Sequence, residues 1–159
     1  MQGAGKDKKV QECMIQIVPL TKELVPEVAA IEAVCFSEPW SEQAYVEACE
    51  KENYLYLAAV DESGHAVGMC GLIIGPFEAE VMNVAVHPDY RGQGIAQKLM
   101  TALMEAGASR GVKEYTLEVR VSNVGAIHVY ESHGFVGEGI RPGFYSKPTE
   151  DALIMWKRE

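Results

Sequence analysis

The junction between a predicted strand and a predicted helix in residues 80–100, EVMNVAVHPDYRGQGIAQKLM, limits the fold more than any other stretch. An apolar β-branched run ends at His87-Pro88, two glycines follow one residue apart, and a helical pattern then begins. Glycines at a turn often do no more than permit positive φ and end a strand. Here the helix begins directly after Gly94, so its first backbone N–H groups have no intrahelical partners and face the loop. The sequence therefore predicts a strand–loop–helix unit with an anion site at its turn.

The residues of that loop narrow the choice of anion. Gly92 and Gly94 let the backbone approach a phosphate closely, and Arg91 adds a cation, so a diphosphate fits best. The position three after Gly94 is Gln97, so the loop lacks the third glycine of a dinucleotide-binding fingerprint. It also lacks the G-K-[ST] of a P-loop. The sequence predicts a pyrophosphate site of another kind.

Length and charge exclude several classes of protein. A chain of 159 residues is most simply one domain with its own core. Fourteen basic and 23 acidic residues give a net charge of −9, which argues against a general nucleic-acid binder and suits a basic protein or amine substrate better. No apolar run approaches the roughly 18 residues that a membrane span needs, and the first residues lack the apolar segment of a signal peptide. We expect a cytoplasmic protein with no membrane or nucleic-acid partner.

The cysteines and histidines show no metal-ligand spacing, because the chain has no C-x-x-C pair and no H-E-x-x-H. We expect no metal, and reduced cysteines that are mostly small buried hydrophobes. The polar, glycine-bearing residues 1–13 are predicted to form a disordered tail, which leaves residues 14–159 as a single domain.

Hydrophobic periodicity predicts the element order β-α-α-β-β-β-α-β-α-β-β after residue 13. This order is typical of an α/β protein with a mixed sheet and helices on both faces. The predicted strands are MIQIVPL (14–20), YLYLAAV (54–60), HAVGMCGLIIG (65–75), residues 79–86, YTLEVRV (115–121), FVGEGI (135–140) and ALIMWK (152–157). The predicted helices span residues 21–34, 41–50, 94–110 and 123–132.

A second informative stretch is LEVRVSNVGAIHVYESHGF, residues 117–135. Strand alternation puts Glu118 and Arg120 on one face, opposite the face of Leu117, Val119 and Val121. A carboxylate near the middle of a packed strand is either functional, solvated at an edge, or paired with Arg120 or a lysine.

The helix that follows this strand carries an asparagine and a tyrosine of interest. Asn123 and Tyr130 are seven positions apart, so they share one helix face with Ala126 and Ile127. Tyr130 is either an ordinary core aromatic with a satisfied hydroxyl or a catalytic group.

Together the two stretches resemble the GNAT superfamily of acetyltransferases, over nearly the whole chain from Met14. The family pattern [QR]-x-x-G-x-[GA] is met by Arg91, Gly94 and Ala96. The resemblance implies the GNAT fold, with a central, mostly antiparallel sheet, and acetyl-CoA as cosubstrate. It also implies that a bulge splays strand 79–86 from the next strand, so that its backbone pairs with the pantetheine arm. The implied coenzyme-binding residues are Val84, Ala85, Val86, Arg91, Gly92, Gln93, Gly94, Ile95, Ala96, Gln97 and Asn123.

Within the superfamily, four stretches are similar to the bacterial ribosomal-protein-alanine N-acetyltransferases, the RimI type. They are CFSEPWS (35–41), MNVAVHPDYRGQG (82–94), LEVRVSN (117–123) and YESHGF (130–135). The resemblance implies Glu118 as proton acceptor, Tyr130 as proton donor, and the N-terminal alanine of a small-subunit ribosomal protein as acceptor. Residues 35–41, with Trp40, and IRPGFYSKPTEDA, with Tyr145, would flank the acceptor groove. Pro142-Gly143 depart from the family pattern there.

Two other functions remain compatible with these residues. One keeps the fold and the cosubstrate but acetylates a small amine, such as a polyamine or an amino acid. The other is a binding module for an acyl-CoA or a partner that has lost turnover. The presence of both Glu118 and Tyr130 disfavours the module.

Overall fold

The computed structural model describes residues 14–159, and the predicted tail at residues 1–13 lies outside the described residues. The predicted order of elements is confirmed. The strands are β1 (Gln16–Pro19), β2 (Tyr54–Val60), β3 (Ala66–Ile74), β4 (Ala79–Val86), β5 (Tyr115–Arg120), β6 (Val136–Tyr145) and β7 (Glu150–Lys157). The α-helices are α1 (Val25–Cys35), α2 (Glu42–Glu50), α3 (Ile95–Ser109) and α4 (Val124–Ser132), and short 3₁₀ turns span Lys22–Leu24 and Pro88–Tyr90.

The strands form one seven-stranded sheet in the order β1-β2-β3-β4-β5-β7-β6. Strands β4 and β5 form its parallel pair, and the other neighbours described here are antiparallel. The helix α3 connects β4 to β5, as a parallel pair requires a crossover. The predicted mixed, mostly antiparallel sheet is confirmed.

Both faces of the sheet are covered by helices. The strand β2 is therefore buried on both sides, which explains its continuous apolar sequence. Its residues Tyr56, Ala58 and Val60 pack in a core cluster with α1 and α2. Its residues Leu57 and Ala59 pack in a second cluster with α3 and α4. A strand that is buried on both faces reads as a continuous apolar run, because neither set of alternating side chains meets water.

Side-chain caps fix the starts of two helices, each one residue after the predicted start. The Ser41 hydroxyl accepts a hydrogen bond from the Ala44 N–H at 3.1 Å, so α2 begins at Glu42. The Asn123 side chain accepts one from the Ala126 N–H at 3.2 Å, so α4 begins one residue after the predicted start. Each cap satisfies a backbone donor that the helix itself leaves unpaired.

The strand β6 is longer than predicted, since it continues past Ile140 to Tyr145. Pro142 and Gly143 are typical of a loop, but here they form an irregularity inside the strand. Gly143 has a φ of +62°, and its N–H donates to the Asp151 side chain at 2.9 Å rather than to the ladder. None of the described helices is both long and apolar enough to cross a lipid bilayer.

Candidate active site

The strands β4 and β5 pair only at their first residues and then separate. Ala79 pairs with Tyr115 and Glu80 with Thr116, and no later residue of β4 pairs with β5 in the described structure. The edge of β4 that faces β5 is therefore open from Val81 to Val86. An open strand edge offers backbone N–H and C=O groups to an extended ligand.

A bulge in β4 causes the two strands to diverge. The β3–β4 register passes from Gly71–Met82 to Met69–Ala85, so β4 contains one extra residue. Asn83 lies at this point with a φ of +55°, a conformation that asparagine tolerates better than most residues. Such a bulge bends its strand and increases the local twist.

A buried carboxylate holds the bulge in place. Glu32 of α1 is only 2% exposed, and its oxygens accept hydrogen bonds from the Asn83 amide at 3.2 and 3.3 Å. The hydroxyl of Tyr45 and the backbone N–H of Trp40, at 3.0 Å, also donate to Glu32. Tyr56 donates to the Asn83 side-chain oxygen at 2.7 Å. This network satisfies a charge that would otherwise be costly to bury, and it ties α1 to the bulge.

A cavity of about 560 Å³ lies along the open edge of β4, between the loop before α3 and the start of α4. It is lined by ten of the eleven residues that were predicted to bind the coenzyme, and by Tyr130. Gln93 does not line it. The other lining residues are Cys35, Phe36, Tyr90, Gly125, Ala126 and Val129.

The loop at one end of the cavity has the geometry of an anion site. Gly92 and Gly94 have φ values of +78° and +76°, which glycine adopts without strain. Gly94 is the residue before α3, and no side chain caps that helix. The first turn of α3 also contains no acidic residue. Its free N–H groups and the helix dipole therefore favour a negatively charged group.

Arg91 lines the cavity and is held by residues from two elements. Its Nε donates to the Val86 carbonyl at 3.2 Å, and its Nη2 lies 3.3 Å from the Cys35 sulfur. Its guanidinium is therefore fixed beside the C-terminal ends of β4 and α1. A fixed cation at this place adds to the attraction of the loop for an anion.

The helix α4 contributes two predicted residues to the opposite wall of the cavity. The Asn123 oxygen caps the helix, while its amide nitrogen makes no hydrogen bond within residues 14–159. Tyr130 is 7% exposed, and its ring packs on Phe135. Burial raises the pKa of Tyr130 above its usual value, with Tyr145 as a further cause. Because its pKa is raised, the hydroxyl is protonated at neutral pH. It has no hydrogen-bond partner among the described residues.

Glu118 lies outside the cavity, on the opposite face of β5 from Leu117 and Val119. The predicted alternation of this strand is confirmed, except that Val121 falls just past its end and is exposed. The predicted alternative in which Arg120 pairs with Glu118 is not what the structure shows. Glu118 is 19% exposed and pairs with Arg141 at 3.6 Å, whereas Arg120 pairs with Glu150 at 3.1 Å.

Glu80 adds a second carboxyl group to this face of the sheet. It is the last residue of β4 that pairs with β5, and its side chain neighbours that of Glu118. Burial and the neighbouring Glu118 raise the pKa of Glu80 to about 7, although Arg141 opposes the shift. Glu80 is therefore partly protonated near neutral pH.

The two residues predicted to contact the acceptor have different surroundings. Trp40 packs on Tyr45 and Tyr56, with ring centroids 5.3 and 5.7 Å apart, and it does not line the cavity. Tyr145 interacts electrostatically with both predicted catalytic groups. Glu118 raises the pKa of Tyr145, and Tyr145 raises the pKa of Tyr130. Burial is the main cause of the rise in the pKa of Tyr145, to about 12. Tyr145 is thus an electrostatic neighbour of both Glu118 and Tyr130.

The roles of Glu32, Glu80 and Asn83 were not predicted from the sequence. A signal for Glu32 was present, because its spacing from Val28 and Cys35 puts a carboxylate on the apolar face of α1. Asn83 interrupts an apolar strand, which is typical of a bulge. No local sequence pattern indicates Glu80, because its raised pKa depends partly on Glu118, which lies 38 positions later in the sequence.

Comparison with known proteins identifies the family. Residues 25–135, well over half of the chain, match the acetyltransferase (GNAT) family. The chain belongs to the GNAT acetyltransferase family. The Escherichia coli K12 ribosomal protein bS18-alanine N-acetyltransferase is 36% identical over 135 residues, which cover 82% of this chain and 88% of that protein.

Solved GNAT structures confirm the fold. The crystal structure of the ribosomal-protein-S18-alanine N-acetyltransferase from E. coli matches with a TM-score of 0.81 at 33% identity, covering 92% of this chain and 96% of that one. The spermidine N-acetyltransferase of Vibrio cholerae matches with a TM-score of 0.77 at 21% identity, covering 91% and 93%. Because proteins named for such different acceptors share it, the fold alone does not identify the acceptor.

This GNAT protein is an acetyl-CoA-dependent N-acetyltransferase. The site described above fits that cosubstrate in two respects. The uncapped helix start with its two positive-φ glycines suits a pyrophosphate, and the open edge of β4 suits the amides of a pantetheine arm.

Proposed function

We propose that this GNAT protein acetylates the N-terminal α-amine of a protein, most simply the N-terminal alanine of a small-subunit ribosomal protein in the cytoplasm. The observation that carries the proposal is the gap between β4 and β5. Tyr130 lines the cavity along this gap, and the Glu80–Glu118 pair lies on the side of α1. The E. coli relatives named for ribosomal protein bS18 support this choice of acceptor.

An α-amine is a suitable acceptor for a site with few catalytic side chains. With a reference pKa near 7.8, about one α-amine in seven is neutral at pH 7, against about one lysine amine in 2,500. An α-amine therefore needs only modest help to lose its proton. General-base catalysis contributes about 10² to 10⁴ in rate, which is enough for this purpose.

Glu118 is the proposed proton acceptor. It can take a proton directly or through a water. Glu80 lies beside it with a pKa raised to about 7, and Arg141 lies 3.6 Å from the Glu118 carboxylate. The proton that Glu118 takes from the amine can then pass to solvent, and a Glu80 that is partly protonated near pH 7 limits the negative charge beside Glu118.

Tyr130 and the backbone of Val84 are proposed to act on the acetyl-donor side. The bound cosubstrate supplies an acetyl group that is already activated as a thioester. Tyr130 would donate a proton, or a hydrogen bond, to the departing sulfur. The Val84 N–H would polarise the carbonyl as an oxyanion donor does. Asn123 and residues 84–86 and 91–97 would hold the cosubstrate, with Trp40 and Tyr145 on the acceptor side.

The proposal is tested with acetyl-CoA and three acceptors. These are a peptide with the ribosomal-protein alanine start, the same peptide with a blocked N-terminus and a free lysine, and a polyamine. Thiol release is followed over time, and peptide masses are read at the end. We expect only the free α-amine to be acetylated.

The other outcomes separate the alternatives. Thiol release with the polyamine alone would move the function to small-amine acetylation and overturn the proposal. Acetylation of the lysine alone would overturn the α-amine as acceptor. Coenzyme binding without thiol release in any arm would favour a binding module.

A further inference from the structure

Two loops that are distant in sequence meet at Arg120, on the face of β5 that also carries Glu118. One is residues 36–41 between α1 and α2, and the other is residues 146–149 between β6 and β7. The Ser37 hydroxyl donates to the Ser146 carbonyl at 3.1 Å, and the Ser146 hydroxyl donates to Glu38 at 2.6 Å. These bonds join the two loops directly.

Arg120 forms the centre of this contact. Its Nη2 donates to the Ser37 hydroxyl at 3.2 Å and to the Ser146 carbonyl at 3.0 Å. Its Nη1 donates to the Pro148 carbonyl at 2.9 Å and to Glu150 at 3.1 Å. We call this set of contacts the loop bridge.

The guanidinium is well suited to this role. The side chain of Arg120 is 23% exposed, and its charged group lies 4.6 Å from the centre of the Tyr145 ring. Four oxygen acceptors and an aromatic face match the planar fork of an arginine. A lysine at this position would keep the charge but could not make all of these bonds at once.

The loop bridge is close to the proposed base along the same strand. Arg120 is two residues after Glu118 and on the same face of β5, which is about 7 Å along a strand. Glu118 itself is only 19% exposed. An acceptor segment that reached Glu118 along this face of β5 would pass beside the loop bridge.

We propose that Arg120 is a positioning residue that fixes the two loops in the arrangement that binds the acceptor segment. This inference rests on the proposed function, because it takes the acceptor to be a protein chain end. Arg120 takes no part in proton transfer or in coenzyme binding. Its loss should weaken acceptor binding and leave the chemical step intact.

The first test is Arg120→Lys, with kinetics measured separately for each substrate. The KM for the alanine-start peptide should rise by about tenfold, because the loops are no longer held in place before binding. The kcat and the KM for acetyl-CoA should stay within about threefold of wild type. An unchanged peptide KM, or a fall in kcat alone, would overturn the proposal.

Arg158→Lys is the matched control. Arg158 also makes forked bonds, to Glu138 at 2.8 and 3.0 Å, and stacks on the Trp156 ring at 4.2 Å. It lies at the end of β7, away from both loops. We expect this variant to keep the wild-type KM values. A matching rise in its peptide KM would show that the effect of Arg120→Lys is not specific to the loop bridge.

Amide hydrogen exchange needs no acceptor, so it tests the role of Arg120 independently of the proposed function. Amide hydrogen exchange should become faster in residues 36–41 and 146–149 together in Arg120→Lys, and in neither loop in Arg158→Lys. Unchanged exchange in both loops would overturn the role of Arg120 even if the wild type were active. Failure of the wild type on every α-amine peptide would instead overturn the proposed function, and the exchange result would still decide the role of Arg120.

Discussion

Among single residues, Tyr130 combines burial with a hydroxyl that has no partner among the described residues. Burial raises its pKa, so the phenol stays protonated at neutral pH. If it protonates the leaving thiolate, Tyr130→Phe should lower kcat by about 10² while the Kd for acetyl-CoA changes little. Single-turnover kinetics and calorimetry measure the two quantities.

Tyr115→Phe is the control for that substitution. Tyr115 is also buried, but its hydroxyl donates to the Met104 carbonyl at 3.3 Å and it does not line the cavity. We expect its kcat to match that of wild type. A normal kcat for Tyr130→Phe would remove Tyr130 from the proton-transfer step.

The carboxyl pair predicts a change in pH dependence. Glu80→Gln replaces the carboxyl whose pKa is raised to about 7 with a neutral amide, so a single carboxyl group remains to titrate at this place. The acid limb of the kcat/KM profile should therefore move to lower pH, by about one unit. Profiles from pH 5 to 9 measure the shift, with Glu78→Gln as an exposed control from the same segment. An acid limb that stays in place would separate Glu80 from the essential base.

At the scale of elements, the start of α3 depends on the backbone of Gly94. A Cβ added there meets no atom beyond its chain neighbours within 4 Å, so the cost of Gly94→Val arises mainly from the φ of +76°. Valine should rotate this residue out of the left-handed region and turn the free N–H groups of α3 away from the anion. We expect the Kd for acetyl-CoA to rise at least about tenfold, as measured by calorimetry.

Gly111→Val provides a closely matched control at the other end of the same helix. Gly111 has a φ of +83°, and a Cβ added there likewise meets no atom beyond its chain neighbours within 4 Å. Both variants should lose about 2 kcal/mol of stability from backbone strain. Only Gly94→Val should bind acetyl-CoA weakly. Equal coenzyme affinities for the two variants would refute the anion site.

The elements also show what the sequence could and could not predict. Periodicity predicted the order of the strands and helices, and the bounds of β2 and β4 agree with the structure. The bulge followed only from the family resemblance, because it depends on contacts between Glu32 and Asn83, 51 positions apart. The ion-pair partner of Glu118, Arg141, could not be predicted either. A strand pattern gives the face of a residue, while its neighbours across the sheet depend on register.

At the scale of the whole molecule, the sheet consists of two parts joined through two residue pairs. β1 to β4 form one part and β5, β7 and β6 the other, and they meet at Ala79–Tyr115 and Glu80–Thr116. The cavity between them is lined by β4 from the first part and by α4 from the second. A ligand that bridges this gap adds contacts that only the folded state can make.

Acetyl-CoA should therefore stabilise the whole fold. A ligand at 100 times its Kd adds about 2.7 kcal/mol, which corresponds to a rise in Tm of about 5–10 °C for a chain of this length. Differential scanning calorimetry with increasing acetyl-CoA measures the rise, and Gly94→Val should show a much smaller one at the same concentrations. Hydrogen exchange should slow at residues 84–86 and at the start of α4 together, because the ligand contacts both parts. Protection on one side alone would mean that the ligand does not span the gap, and the proposed site would then be wrong.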